Sequence, residues 1–92
     1  MYNIQIKKLN YSTIVFVDGI NWNSLEHSHR KSVINHATNL IDEHFNIPPE
    51  FVDQLEEDAF KDMNFLLKVL KVANGIVGEV GYDEFNTITF KI

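Results

Sequence analysis

The spacing of apolar residues changes twice along this chain, and this change constrains the fold more than any other feature. Residues 2–6 and 86–92 alternate between apolar and polar side chains, which is typical of half-buried β-strands. Residues 25–45 and 51–73 instead place apolar side chains three and four positions apart, which is typical of amphipathic helices. The pattern predicts an α+β domain with strands at both ends of the sequence and helices in the middle.

Two further segments complete the predicted sheet. Residues 13–17 carry β-branched or aromatic side chains on both faces, which favours a strand inside a sheet. Residues 76–80 are a short run that predicts another strand, followed by a turn over residues 81–84. The order is then ββααββ. We expect a two-layer sandwich with a four-stranded, mostly antiparallel sheet and two helices on one face.

Capping signals set the predicted helix ends. Asn23 or Ser24 suits the N-cap of the first helix, with Glu26 completing a capping box after Asn23. The two prolines at positions 48 and 49 end this helix near residue 45, and the second proline suits the first position of the next helix. That second helix is predicted to stop at residues 74–75. Its length of about 25 residues favours a kink between residues 54 and 58.

The chain length bounds the core. With 92 residues the sequence predicts one domain, residues 1–92, which buries roughly 60–68% of its unfolded surface. The helical and strand phases predict these buried side chains: Phe16, Leu40, Leu55, Met63, Leu66, Leu70, Ile88 and Phe90.

Cysteine is absent, which excludes disulfides, thiolate catalysis and cysteine-based zinc sites. Small secreted domains usually rely on disulfides, so the composition favours a cytoplasmic location. Residues 1–9 lack the apolar stretch of a signal peptide, and no window approaches the ~18 apolar residues of a membrane span. We expect no membrane association.

Acidic charge is concentrated in one block. The net charge is −5, and residues 42–62 hold eight acids against one lysine, a balance of −7. The rest of the chain therefore carries +2. Phosphate binding requires clustered lysine and arginine, so direct nucleic-acid binding is not expected.

The four histidines, His27, His29, His36 and His44, all fall on the first predicted helix. His29 and His36 share a face, but seven residues separate them by about 10.5 Å along the helix, too far for one metal ion. His44 lies in the apolar stripe, which predicts a hydrogen-bonded core histidine. No metal site and no cofactor are predicted.

Asp18 is the one candidate for metal-dependent catalysis, because it ends a central strand as nuclease metal ligands do. Such an enzyme needs about two to four converging carboxylates, and the other acids lie on the second helix or in turns. Residues 18–19 are also an ordinary Asp-Gly turn. No serine is marked as a nucleophile, and the glycines do not form a phosphate loop. The sequence therefore predicts no catalytic residue.

The acidic block has two interpretations. Acids near the start of a helix are favoured by the helix dipole, and Glu57 and Lys61 suit an i, i+4 ion pair, so the block fits a solvated face. Alternatively, Glu50, Asp53, Glu57 and Asp58 form a docking patch for a basic protein surface. Glu56-Glu57-Asp58 favours the second interpretation, because consecutive acids repel one another.

A second apolar stripe on the second predicted helix must also be buried against another surface. Phe65, Val69 and Val72 lie off its main stripe at three- to four-residue spacing. Either the first helix covers them, or a partner or second copy does.

These features predict a small acidic binding protein that occludes a macromolecular partner with a basic surface, one candidate class being nuclease inhibitors of the toxin-immunity or phage anti-defence type. A homo-oligomeric structural or accessory subunit is the alternative, and a small metal-dependent enzyme using Asp18 ranks last. The predicted contact residues are Glu50, Asp53, Glu57, Asp58, Phe65, Val69 and Val72.

Overall fold

The computed structural model of the chain describes residues 1–78, 82–84 and 86–92. Within them the chain forms strands before and after a group of three α-helices, which confirms the α+β class. In chain order the elements are β1 (Asn3–Lys8), β2 (Thr13–Val17), β3 (Ile20–Asn21), a 3₁₀ turn (Trp22–Ser24), α1 (His27–Phe45), α2 (Pro49–Lys61), α3 (Met63–Val77), β4 (Tyr82–Glu84) and β5 (Thr87–Lys91).

The strands form one antiparallel sheet in the order β3-β2-β1-β5-β4. Its register places Ile4 opposite Val17 and Phe90, and Ile6 opposite Val15 and Ile88. The predicted count of four strands and two helices is wrong, because β3 adds a strand and the second helix divides in two. The two-layer arrangement stays a prediction.

Strand alternation separates the two faces of the sheet. Ile4, Ile6, Val15 and Val17 are buried on one face, together with Phe90 across the register. Phe16 alternates to the other face, where it lies opposite Gln5 and is only half-buried. The prediction of Phe16 as a core residue is therefore wrong, because a five-residue apolar strand with period two still directs alternate side chains to opposite faces.

The start of α1 differs from the prediction. Asn23 and Ser24 belong to the 3₁₀ turn, in which the Asn21 side chain accepts a hydrogen bond from the Asn23 N–H at 2.9 Å. The helix begins only at His27, after Glu26, whose side chain makes no capping bond. Burial of Trp22 and Leu25 explains the difference, because both apolar side chains draw this segment onto the core as a separate turn.

The second predicted helix breaks at Asp62, and not between residues 54 and 58. Asp62 is extended (φ −126°, ψ 116°), and its carboxylate accepts a hydrogen bond from the Asn64 N–H at 2.9 Å, so it ends α2 and caps α3. Pro49 is the first residue of α2, as predicted.

α3 continues through residues 74–75 and ends at Gly78, which is left-handed (φ 73°) and donates its N–H to the Asn74 carbonyl at 3.0 Å. Ile76 and Val77 are therefore helical, which contradicts the predicted strand at 76–80, because the half-buried stripe of α3 extends through them. Glu79 and Val80 lie outside the described residues. The predicted turn at 81–84 is wrong for 82–84, which form β4, while Gly81 lies outside the described residues.

One buried apolar cluster joins the sheet to the helices. Leu66, Leu70 and Phe90 are buried in it, as predicted. The other predicted core residues are half-buried and pack against the cluster: Leu40, Leu55, Met63 and Ile88.

Candidate docking surface on the second helix

The outer face of α2 carries three of the seven predicted contact residues. Ala59 is buried and Leu55 half-buried, so these positions orient α2 toward the core. Glu50, Asp53 and Glu57 follow three- and four-residue spacing on another side of the helix and are all exposed. Asp58 is half-buried at the border between the two sides. The fold therefore brings three of the four predicted acids onto one solvent-facing stripe.

Several acids of the block stabilise the fold itself. The Asp42 carboxylate accepts the Ile47 N–H at 3.1 Å just after α1 ends, and Asp62 caps α3. These two carboxylates satisfy backbone donors that would otherwise lack a partner. Their presence in the sequence is therefore explained without any ligand.

Glu56 connects α2 to α1. Its carboxylate accepts a hydrogen bond from the buried Thr38 hydroxyl at 3.2 Å. The Asn35 amide, in the orientation that satisfies both groups, donates to the same carboxylate at 3.1 Å. Glu56 is thus a structural contact between the helices.

Glu57 and Asp58 have partners one turn away. Lys61 Nζ lies 2.6 Å from Glu57 Oε1, and Gln54 Nε2 donates to Asp58 Oδ1 at 2.9 Å. The hydrogen bond from Lys61 and its positive charge lower the pKa of Glu57 below its usual value. The same hydrogen bond and the negative charge of Glu57 raise the pKa of Lys61. The consecutive acids 56–58 therefore each bond to a different side chain, which moderates the repulsion that the sequence suggested.

Glu50 and Asp53 remain after these partners are assigned. Among the described residues, no side chain forms a hydrogen bond or ion pair with either carboxylate, and both are exposed. They are the two acids of the predicted patch that are free to meet an external cation.

A groove of about 290 Å³ lies between α1 and α2, beside this stripe. Its apolar wall includes Phe60, against which the His27 ring packs at a centroid distance of 4.5 Å. Asp53 and Glu57 belong to its acidic side, and Lys31 and Lys61 bring positive charge to it. The lining residues are His27, Lys31, Ile34, Asn35, Asp53, Glu56, Glu57, Phe60 and Lys61.

The histidines are dispersed. His29 and His36 share a face, as predicted, and both pack near the Tyr2 ring, at centroid distances of 6.3 and 5.5 Å. His44 is exposed beside Phe45, so its prediction as a core histidine is wrong; it lies in the last turn of α1, past the edge of the core. Within the described residues, no three histidine or carboxylate side chains are grouped as metal ligands.

Asp18 has a structural role. Its carboxylate accepts the Asn3 N–H at 2.9 Å, and its left-handed backbone (φ 50°) leads with Gly19 (φ 83°) into β3. Asp18 therefore joins the start of β1 to the end of β2 at the rim of the sheet.

The second apolar stripe is largely covered within the chain. Val69 is 3% exposed and Phe65 packs half-buried against the core, while Val72 is 43% exposed. α3 packs on both α1 and α2, and Val69 and Phe65 belong to or pack against the common apolar cluster, so part of this stripe is covered within the chain. Val69 is buried in this structure, and its role as a contact residue stays a prediction.

The last residue of the predicted apolar pattern 25–45 and the first residue of the pattern 51–73 are both exposed. Phe45 is 60% exposed at the end of α1, and Phe51 is 59% exposed in the first turn of α2. The two prolines at positions 48 and 49 were the sequence signal for this exposure, because they mark helix ends, where an apolar stripe can extend beyond the core.

The described residues contain no helix with the length and apolar character needed to cross a membrane. No protein-family model, curated protein or solved structure matches this chain.

Proposed function

We propose that this chain is a small acidic binding protein that occludes a macromolecular partner through the outer face of α2. The observation that supports the proposal is the pair of exposed carboxylates of Glu50 and Asp53, for which the described residues offer no partner. The other acids of α2 and of its ends bond to neighbouring groups, so the Glu50 and Asp53 carboxylates are the ones left open to solvent.

The charge distribution favours a basic partner. Residues 42–62 carry −7 while the remainder carries +2, so the acidic charge is concentrated at the end of α1, in α2 and at the start of α3. A complementary positive surface gains association rate from this field and suppresses wrong partners. The ion pair of Glu57 with Lys61 partly neutralises that position, so Glu50 and Asp53 lead the contact and Glu57 has a secondary role.

A nuclease is the class of partner that fits this chemistry best. A surface that binds phosphates must be rich in lysine and arginine, and an acidic protein seated on it excludes the nucleic acid. The proposal therefore includes inhibitors of the toxin-immunity or phage anti-defence type.

Affinity capture from the native host with mass spectrometry tests the proposal. Wild type is compared with the variant Glu50→Lys/Asp53→Lys, whose changes lie at exposed positions. A matched control, Asn10→Lys/Ser12→Lys, adds positive charge at the exposed turn between β1 and β2. We expect a basic protein to be captured by wild type and the control and lost with the reversed variant. Equal capture by all three baits contradicts the proposal.

A further inference from the structure

The connection between α1 and α2 presents two phenylalanines to solvent. Phe45 lies one turn after Ile41, which is buried, and Phe51 lies one and two turns before Leu55 and Ala59, which contact or enter the core. Each phenylalanine therefore continues a core-facing stripe past the edge of the core. Phe45 and Phe51 lie six positions apart, and each leaves about 60% of its surface exposed to solvent.

The connection is held in one conformation by its own hydrogen bonds. The N–H of Asn46 (φ 55°) donates to the Asp42 carbonyl at 2.6 Å, and the Ile47 N–H donates to the Asp42 carboxylate at 3.1 Å. Ile47 packs half-buried against the core, and the Phe51 N–H donates to the Pro48 carbonyl at 3.0 Å. The backbone that carries both phenylalanines is therefore preorganised, which lowers the entropy cost of binding through them.

The charge around this connection favours one kind of binding partner over a second copy of the chain. Residues 42–53 contain four acids and no lysine or arginine, and Glu43 and Glu50 are exposed within two positions of a phenylalanine. In a two-fold contact between copies, each acid near the axis meets acids of the other copy, which is unfavourable. A partner with lysine or arginine around an apolar pocket satisfies both the aromatic and the acidic groups.

We infer that Phe45 and Phe51 are the apolar anchors of the docking surface, and that they insert into an apolar depression rimmed by basic side chains on a protein partner. The inference rests on the proposed function and extends it from the acidic stripe of α2 to the end of α1. Aromatic anchors commonly supply most of the binding energy at an interface, while charges outside them govern the association rate.

A defined probe tests this inference without the native partner. The probe is a short amphipathic helical peptide with leucine and tryptophan on one face and lysine on the other, titrated into the ¹⁵N-labelled chain. A second peptide has the same lysines but glutamine in place of each apolar residue. We expect the first peptide to shift the amides of residues 43–53, with an affinity at least about tenfold higher than that of the second peptide.

Phe45→Ala/Phe51→Ala is the matching variant, and Tyr11→Ala is its control because Tyr11 is an exposed aromatic residue in the turn before β2. The double variant should fold as wild type does, since both side chains are exposed. We expect it to lose at least about tenfold in affinity for the first peptide, while the control loses less than about twofold. Shifts outside residues 43–53, or equal affinity of wild type and double variant, overturn the inference.

Two further outcomes separate this inference from the proposed function. If the double variant binds the native partner normally while Glu50→Lys/Asp53→Lys does not, the acidic docking function stands and the aromatic anchors are refuted. If wild type forms a dimer in sedimentation and the double variant is monomeric, the occupant is a second copy, which also refutes the inference.

Discussion

Val69 and Val72 allow a matched test of how α3 faces the core. Both are valines in the same helix, and they differ in burial, at 3% and 43% exposed. Val69→Ala removes two buried methyl groups, worth about 1.6 kcal/mol at ~0.8 kcal/mol per methylene, and leaves a small cavity that adds to the cost. The better helix propensity of alanine returns about 0.5 kcal/mol at either position. The net loss is about 1.5 kcal/mol for Val69→Ala and near zero for Val72→Ala.

Urea denaturation followed by circular dichroism measures this difference. With a dependence of about 1–3 kcal/mol per molar urea, the midpoint for Val69→Ala should fall by about 0.5–1.5 M, and that for Val72→Ala should stay close to wild type. Equal midpoints, or a larger loss for Val72→Ala, refute the helical phase described for α3. The stripe of Phe65, Val69 and Val72 then becomes an outer surface again, and a homo-oligomer becomes the better interpretation.

Three further predictions test the helix ends and the ion pair. Gly78→Ala should lower the free energy of unfolding by about 1 kcal/mol, because φ is +73° there, although the site has open space. Gly75→Ala, inside α3, should raise the free energy of unfolding by up to about 1 kcal/mol. Thermal denaturation measures both. Asp62→Ala should cost about 1 kcal/mol through loss of the α3 cap, seen in the same assay. Lys61→Met should raise the pKa of Glu57 toward its ordinary value in an NMR titration of its carboxyl carbon. Because that pKa is lowered by folding, the pair stabilises the chain above the unfolded pKa of Glu57, and the contribution is lost as pH falls through the folded pKa.

Periodicity was sufficient to predict the strands that form the centre of the sheet and the amphipathic helices between them. Residues 13–17 form a strand with the predicted bounds, and α1 ends where the prolines indicated. The predicted helix ends were wrong where tertiary contacts determine them. Burial of Trp22 and Leu25 displaced the start of α1, which no local capping rule anticipates. Gly78, and not Gly75, ends α3, because apolar contacts of the intervening residues extend the helix.

The candidate site was predicted in composition but not in detail. The sequence located the acidic block, yet its members have different roles that depend on contacts between helices. Thr38 lies eighteen positions before Glu56, so their hydrogen bond could not be inferred from local spacing. Phe45 and Phe51 fit the buried stripes by phase, and only the extent of the core shows that the stripes extend into solvent.

The central claim is that Glu50 and Asp53 meet a basic surface on a partner, and the association rate constant with the captured partner tests it most directly. Stopped-flow measurements at about 50 and 500 mM salt should show a fall of at least about tenfold for wild type, because exposed charges are screened over a few ångströms at high salt. Glu50→Lys/Asp53→Lys should associate at least about tenfold more slowly than wild type at low salt. Asn10→Lys/Ser12→Lys should remain within about threefold of wild type. A salt-independent rate, or a reversed variant that associates as fast as wild type, contradicts the claim and leaves the stripe as a solvated face of α2.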